Sequence, residues 1–176
     1  MSQNNEPWRR QERQIVCTLT YSVYPIEDAA GLTRKYGRST LNLAYVKSIL
    51  IVDDSPLIRR SLRTLFEQHP EWVICGEAEN GREGIDKAQI LHPDIIVMDL
   101  AMPRLNGLDA SRTLKQLIPA TPIVMFTTFT NPCIKEAALA AGVQAVIDKS
   151  EGATTLIRSI QQLLTSELRS CSPNAA

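Results

Sequence analysis

Several features that mark special classes of protein are missing from this chain of 176 residues. It has no apolar run near the roughly 20 residues that a membrane-spanning helix requires. Its four cysteines lie far apart and form no CxxC pair, which argues against a zinc site or a disulfide framework. Its 19 acidic and 19 basic side chains cancel, so net charge gives no sign of binding to nucleic acid or to an anionic membrane. We therefore expect an ordinary globular protein of the cytoplasm, with no membrane partner.

The pattern of the sequence changes after Val46. Residues 1–46 are polar and irregular, with one short strand-like run at Ile15–Tyr21. We predict that they form an unstructured N-terminal extension or lie outside the natural product, which would begin at Val46 if a non-Met start codon were read there. The regular part, residues 47–168, has the length of one domain. Residues 169–176 form a short tail.

From Lys47 onward, apolar runs that are typical of strands alternate with segments of helical periodicity. The runs predicted as strands are Ile49–Val52, Trp72–Cys75, Ile95–Met98, Ile123–Phe126 and Ala145–Ile147. The segments predicted as helices are one that begins at Pro56 with Ser55 as its N-cap, then Arg82–Leu91, Leu108–Leu117, Pro132–Ala141 and one with the apolar stripe Leu156–Leu164. Five strands that alternate with five helices specify an α/β fold with a parallel sheet covered on both faces.

Polar side chains occur where four of these five strands end. Asp53 and Asp54 follow the first strand, Asp99 follows the third, and no residue able to do chemistry ends the second. Thr127 ends the fourth strand and Lys149 follows the fifth. The carboxyl ends of parallel strands lie along one edge of a sheet, so these residues should meet in one crevice. Taken singly, the acidic pair would be a solvated strand end and the lysine a surface charge, but their common placement favours a site.

Three carboxylates in one crevice would raise one another's pKa values unless a cation compensates their charge. Oxygen ligands of this kind are those that Mg²⁺ prefers. The lysine and the threonine suit a phosphoryl group, the first as a point charge and the second as a hydrogen-bond donor. The sequence therefore predicts a site for Mg²⁺ and a phosphoryl group at this edge of the sheet.

Four motifs, taken in order, resemble the receiver domain of the bacterial two-component response regulators. They are VDDS at 52–55, VMDLAMPRLNG at 97–107, MFTTF at 125–129 and DKS at 148–150. The resemblance extends over about residues 47–168. It implies a flavodoxin-like (βα)5 three-layer sandwich whose parallel sheet has the strand order 2-1-3-4-5.

The resemblance also assigns a role to each residue at the strand ends. Asp99 matches the phosphoacceptor, which would receive a phosphoryl group from a histidine kinase or a phosphotransfer protein. Thr127 and Lys149 would bind the phosphoryl oxygens. The implied ligands of Mg²⁺ are Asp53, Asp54, Asp99 and the main-chain carbonyl of Ala101.

Some positions differ from the pattern of the family. Val146 occupies a position where an aromatic switch residue is common, which puts the coupling of Thr127 to a ring flip in doubt. Ser150 replaces a common proline, and Thr128 replaces a small residue beside the phosphoryl site.

The positions two residues beyond Asp99 and Thr127 also bear on the chemistry. They hold Ala101 and Phe129, neither of which can orient a hydrolytic water. We therefore predict that the phosphorylated form is long-lived.

The favoured interpretation is a phosphorylation-dependent switch in phosphorelay signal transduction, and not an enzyme with turnover. The segments LNGLDASRTLK and PATPIVMFTTF resemble receivers that carry a helix-turn-helix domain. No such domain follows in this sequence, so we expect a stand-alone receiver that acts on an unknown downstream protein and does not bind DNA directly. The resemblance also implies a possible homodimer through the face made by the fourth helix, the fifth strand and the fifth helix.

Two other functions stay open from the sequence. A phosphate-independent interaction module would keep the fold without the chemistry. The segment MPRLNG can be interpreted as a plain turn before a helix, with Gly107 chosen for its backbone freedom, and this interpretation is compatible with the phosphorylation switch as well. A small-molecule phosphatase of the haloacid dehalogenase type is less favoured, because its general acid would lie two residues after Asp99, where this chain has Ala101.

Overall fold

The computed structural model describes residues 46–169. The predicted N-terminal extension, with its strand-like run Ile15–Tyr21, lies outside the described residues, and so does the tail from residue 170 onward. From Val46 the chain forms a compact unit of its own. Within residues 46–169, no helix is both long enough and apolar enough to cross a membrane. The domain limits at 47 and 168 stay a prediction.

Strands and helices alternate along the described part of the chain. They are β1 (Lys47–Val52), α1 (Pro56–Phe66), β2 (Trp72–Ala78), α2 (Gly81–Leu91), β3 (Ile95–Met98), α3 (Gly107–Leu117), β4 (Ile123–Thr127), α4 (Pro132–Ala140), β5 (Ala145–Asp148), a 3-10 turn (Lys149–Glu151) and α5 (Ala153–Arg169). The strands form one sheet in the order β2-β1-β3-β4-β5, and every neighbouring pair is parallel. The predicted flavodoxin-like fold and its strand order are confirmed.

The hydrophobic core forms two layers, one on each face of the sheet. Successive residues of a strand point to opposite faces, so β1 contributes Leu50 to one layer and Ile51 to the other. Helices α2, α3 and α4 close the first layer through Ile85, Ala110, Leu114 and Ala138, and helices α1 and α5 close the second through Leu62, Phe66, Leu156 and Ile160. A sheet that is buried on both faces leaves its strand ends and the loops above them for chemistry.

Four helices begin with a polar cap at the edge of the sheet where the strands end. The side chains of the caps accept hydrogen bonds from main-chain N–H groups in the first turn, which would otherwise lack partners. The cap and donor pairs are Ser55 with Ile58, Asn80 with Glu83, Asn106 with Asp109, and Asn131 with Ile134. These caps fix where each strand-to-helix loop ends, and the residues between strand and cap lie at one edge of the sheet.

Strand β2 is longer than its sequence predicts. The prediction ended the strand at Cys75, but it continues to Ala78. The register of β1 and β2 shifts after Ile49, which pairs with Ile74, so that Leu50 pairs with Gly76. Pairing then resumes through Gly76, Glu77 and Ala78, where a glycine and a charged residue interrupt the apolar run, so hydrophobicity alone did not reveal this part of the strand. As a consequence, β2 reaches the same edge of the sheet as β1.

Gly107 is needed for close packing and not for an unusual backbone conformation. Its φ angle is not positive, unlike those of Gly142 and Gly152. A Cβ atom at position 107 would lie 2.1 Å from the carbonyl oxygen of Asp99. The expectation that this glycine was chosen for backbone freedom was therefore wrong: the start of α3 packs directly on the main chain that follows β3.

Gly107→Ala tests this contact through the sign of its effect. At an unhindered helical position, glycine to alanine stabilises a protein by about 0.4–1 kcal/mol. Here we expect a decrease of about 1–3 kcal/mol in the free energy of unfolding, as for other substitutions that overpack a filled space. Urea unfolding of the variant beside the wild type measures it. An increase in stability would contradict the close approach of α3 to Asp99.

Candidate functional site

The main chain at the ends of β1 and β3 is fixed by hydrogen bonds that extend the sheet by one residue. The N–H of Asp53 donates to the carbonyl oxygen of Ala78 at 3.0 Å, and the N–H of Asp99 donates to that of Val52 at 2.8 Å. Each aspartate therefore continues the pairing of its strand, and its side chain emerges at the edge of the sheet. This explains why two carboxylates that are 46 positions apart lie close together.

Three carboxylates are gathered at this edge. Oxygen atoms of Asp53, Asp54 and Asp99 all lie within 4.8 Å of one another. Asp53 is 2% exposed and Asp99 is 7% exposed, whereas Asp54 is open to solvent. Two of the three charges are thus buried, and buried charges need compensation from hydrogen bonds or from opposite charge.

Lys149 supplies part of that compensation. Its Nζ atom lies 2.7 Å from Oδ2 of Asp53 and 3.0 Å from Oδ2 of Asp99. Burial lowers the pKa of Lys149, but its hydrogen bonds to the two carboxylates and their charges outweigh this effect and the pKa is raised. The resemblance assigned Lys149 to phosphoryl oxygens; in this structure its ammonium group bridges the two buried aspartates.

Main-chain N–H groups hold the other oxygen of each buried carboxylate. Oδ1 of Asp53 accepts from the N–H of Ser55 at 2.9 Å, and Oδ1 of Asp99 accepts from the N–H of Leu100 at 2.7 Å. Burial nevertheless raises the pKa of Asp53 above its ordinary value, although Lys149 and Ser55 act in the opposite direction. The negative charge at this site is therefore only partly compensated by the protein itself.

The set of oxygen donors fits a divalent cation. Three carboxylates and one ammonium group leave two negative charges uncompensated. Carboxylate oxygens are the ligands that Mg²⁺ prefers, and one exposed carboxylate leaves room for retained water. Ala101, whose carbonyl was predicted as a further ligand, lies exposed in the loop after β3. The residues present therefore match what a magnesium site requires.

Thr127 lies at the end of β4, fully buried. Its Oγ1 accepts a hydrogen bond from the N–H of Phe129 at 3.2 Å. Since β4 pairs with β3, and Met125 lies beside Met98, Thr127 ends next to the strand that carries Asp99. Val146, in the position that is often aromatic in the family, is half-buried and packs against the core layer under α2, α3 and α4.

Sequence reasoning missed a hydrogen bond that joins the loops after β4 and β5. Asp148 accepts from the hydroxyl of Thr130 through Oδ2 and from the N–H of Ser150 through Oδ1, the latter at 2.8 Å. Hydrogen bonds from Ser150 and Thr130 lower the pKa of Asp148 to about 2. The spacing of Asp148 and Ser150 is that of an Asx turn, a signal that was available in the sequence. This contact ties the segment after Thr127 to the turn that carries Lys149.

Sequence reasoning also missed Arg59 and Glu77, which lie beside the acidic pair. Nη1 of Arg59 donates to the carbonyl oxygen of Asp53 at 2.6 Å, and its Nε lies 3.3 Å from Oε2 of Glu77. Glu77 belongs to the part of β2 that was not predicted. The second strand therefore does bring a charged group to the edge of the sheet, contrary to expectation.

Comparison with known proteins agrees with this geometry. The sequence model of the response regulator receiver domain matches residues 49–161. A protein-glutamate methylesterase/protein-glutamine glutaminase of Methanosarcina mazei is 45% identical over 104 residues, which cover 58% of this chain and 29% of that protein. The transcriptional regulatory protein LnrK of Bacillus subtilis is 31% identical over 112 residues, which cover 64% of this chain and 51% of that protein.

A solved response regulator domain has the same fold as this chain. The response regulator domain of Thermotoga maritima CheB superposes with a TM-score of 0.65 and 31% sequence identity, over 68% of this chain and 97% of that domain.

The comparisons overturn the expectation that the protein is not an enzyme. Similar relatives, among them those of Methanosarcina mazei and Alkalilimnicola ehrlichii, are named as methylesterase and glutaminase enzymes. The chain spans only 29% and 26% of the length of these two proteins. The match over residues 49–161, more than half of the chain, shows that the protein belongs to the response regulator receiver domain family.

Proposed function

We propose that the protein is a phosphorylation-dependent signalling switch in which Asp99 accepts a phosphoryl group. One observation carries the proposal: a carboxylate only 7% exposed lies at the end of the central strand β3, beside an ammonium group and two further carboxylates. A structural role alone would not need three acidic groups in one place, since each adds to the cost of burying the others.

The proposed reaction is a transfer from a phosphohistidine. A carboxylate oxygen of Asp99 attacks the phosphorus atom, so that an O–P bond forms while the N–P bond breaks. The electron pair of the broken bond returns to the imidazole of the donor. The product is an acyl phosphate on Asp99, and its phosphoryl oxygens carry charge that the site must hold.

Two side chains would meet that charge. Lys149 already contacts Oδ2 of Asp99, and its ammonium group would bind the phosphoryl oxygens of the acyl phosphate. Thr127 would donate its hydroxyl hydrogen to a phosphoryl oxygen while its Oγ1 continues to accept from the N–H of Phe129. Donors held by the protein before the reaction stabilise developing charge without reorganisation.

Mg²⁺ would be held by Asp53, Asp54, Asp99 and the carbonyl of Ala101. When bound, the ion supplies positive charge next to the transferring phosphoryl group. Lys149, which contacts both Asp53 and Asp99 in this structure, would contribute its positive charge to the phosphorylated Asp99.

The proposed partners follow from the same chemistry. A histidine kinase or a phosphotransfer protein would be the donor, and a downstream protein would read the phosphorylated state in a phosphorelay. The face formed by α4, β5 and α5 is the proposed homodimer surface, and Leu139 on α4 is 60% exposed. A cytoplasmic location stays a prediction that rests on the pattern of cysteines.

Incubation with acetyl phosphate and Mg²⁺ tests the proposed function. We expect the intact mass to rise by one phosphoryl group, and we expect no rise in Asp99→Asn or in the presence of a chelator, because the nucleophile or the cation is then missing. Asp86→Asn, which removes an exposed carboxylate on α2, is the matched control and should be phosphorylated like the wild type. A wild type that gains no mass from acetyl phosphate or from a phosphorylated kinase would favour the phosphate-independent interaction module.

The lifetime of the phosphorylated form is a second test. Because Ala101 and Phe129 offer no group to orient water, we expect slow loss of the phosphoryl group after the donor is removed. Ala101→Asn would introduce such a group and should shorten the half-life, whereas Ala120→Asn, at an exposed loop position, should not. Mass spectrometry over time gives the half-lives. Hydrolysis of the wild type within seconds in Mg²⁺ would contradict this prediction.

A further inference from the structure

The peptide that joins Asp53 to Asp54 is anchored by contacts from outside its own loop. Arg59 on α1 donates from Nη1 to the carbonyl oxygen of Asp53 at 2.6 Å. The N–H of Asp53 donates to the carbonyl oxygen of Ala78 at the end of β2. Both main-chain polar groups of Asp53 are therefore tied down, one by α1 and one by β2.

The guanidinium group of Arg59 is itself held in place. Its Nε lies 3.3 Å from Oε2 of Glu77, and its side chain is only 16% exposed. Oε1 of Glu77 accepts from Nε of Arg63 at 2.7 Å and lies 2.6 Å from Nη2 of the same residue. Arg59 and Arg63 are four residues apart and lie on one face of α1, so one carboxylate on β2 orients both.

The guanidinium nitrogens of Arg59 make two different contacts. One nitrogen meets the carboxylate of Glu77, and another meets the main chain of the acidic pair. A guanidinium can do this because its donors have a fixed planar geometry, whereas the ammonium group of lysine is a single point. An exposed Arg–Glu pair would contribute little by itself, but this pair is largely buried and ends on a residue of the candidate site.

We infer that Arg59 is a positioning residue for the acidic pair, and that Glu77 orients it. By fixing the peptide between Asp53 and Asp54, Arg59 sets the directions in which the two carboxylates leave the main chain. Lys149 and Ser55 hold the carboxylate of Asp53, so the contact from Arg59 bears mainly on where the main chain directs the exposed carboxylate of Asp54. The inference rests on the proposed function, since it takes the acidic pair to be a binding site for a divalent cation.

Two effects of Arg59 on cation binding oppose each other. Its positive charge disfavours a cation nearby, although Glu77 offsets much of that charge. Its hydrogen bond to Asp53 favours a cation by holding the ligands in place. Arg59→Lys keeps the charge and loses the planar guanidinium group, whereas Arg59→Gln loses both. If positioning dominates, both variants bind Mg²⁺ more weakly than the wild type.

The experiment is a titration of the full chain, labelled with ¹⁵N, with Mg²⁺ alone, followed through amide chemical shifts. We expect the dissociation constant to rise about 10–100-fold in both Arg59 variants, the range seen when groups that orient metal ligands are removed. Arg63→Gln is the matched control, because it loses a partner of Glu77 but makes no contact with Asp53. It should bind Mg²⁺ like the wild type. The spectrum without Mg²⁺ reports whether each variant is folded, and Arg59→Lys decides if Arg59→Gln does not fold.

Four results would overturn the inference. Arg59 variants with the affinity of the wild type would mean that Arg59 does not position the acidic pair for a cation, and tighter binding by Arg59→Gln would mean that the charge of Arg59, and not its position, governs its effect. Equal loss in Arg63→Gln would assign the effect to general loosening of α1 and β2. A wild type that does not bind Mg²⁺ would remove the cation site of the proposed function and the inference with it, so the two failures are distinguished by the wild type.

Discussion

The ammonium group of Lys149 between Asp53 and Asp99 is the interaction on which the rest of this site depends. In this parallel sheet, strands β1 and β3 are each followed directly by a buried aspartate, Asp53 and Asp99. Each charge costs several kcal/mol to bury without a partner. Lys149 contacts both aspartates, and each aspartate also accepts a hydrogen bond from one main-chain N–H. These contacts reduce the cost of burial but do not remove it. The remaining negative charge is what a bound cation would compensate.

Topology explains why distant residues meet at this point. The carboxyl ends of all parallel strands lie at one edge of the sheet, and four helices begin there with a polar cap. Helix N-termini carry partial positive charge. The edge of the sheet that holds the carboxylates therefore also holds partial positive charges that favour them. The close packing of Gly107 on Asp99 brings α3 directly to that edge. The fold and the site are therefore consequences of the same arrangement of strands.

The sequence predicted most of the fold because apolar runs and caps act locally. Strand β3 begins and ends where predicted, Ser55 caps the first helix, and the fourth helix begins at Pro132 as predicted. The end of β2 was missed because the register shift near Cys75 and the residues Gly76 and Glu77 after it interrupt the apolar pattern. Contacts between segments that are distant along the chain, such as that of Thr130 with Asp148, leave no periodic trace in one sequence. The rule that parallel strand ends converge was enough to place Asp53, Asp99 and Lys149 together, but not to show that Lys149 bridges the two acids.

The hydrogen bond between Thr130 and Asp148 has a consequence for the conditions under which the protein works. Because the pKa of Asp148 is about 2, its carboxylate stays ionised throughout the range of pH inside living cells. A carboxylate whose pKa is depressed in the folded state contributes stability above its ordinary pKa and loses it only as the pH falls toward the folded value. The loops on either side of Thr127 and Lys149 are thus joined by a contact that acidification of a cell does not titrate.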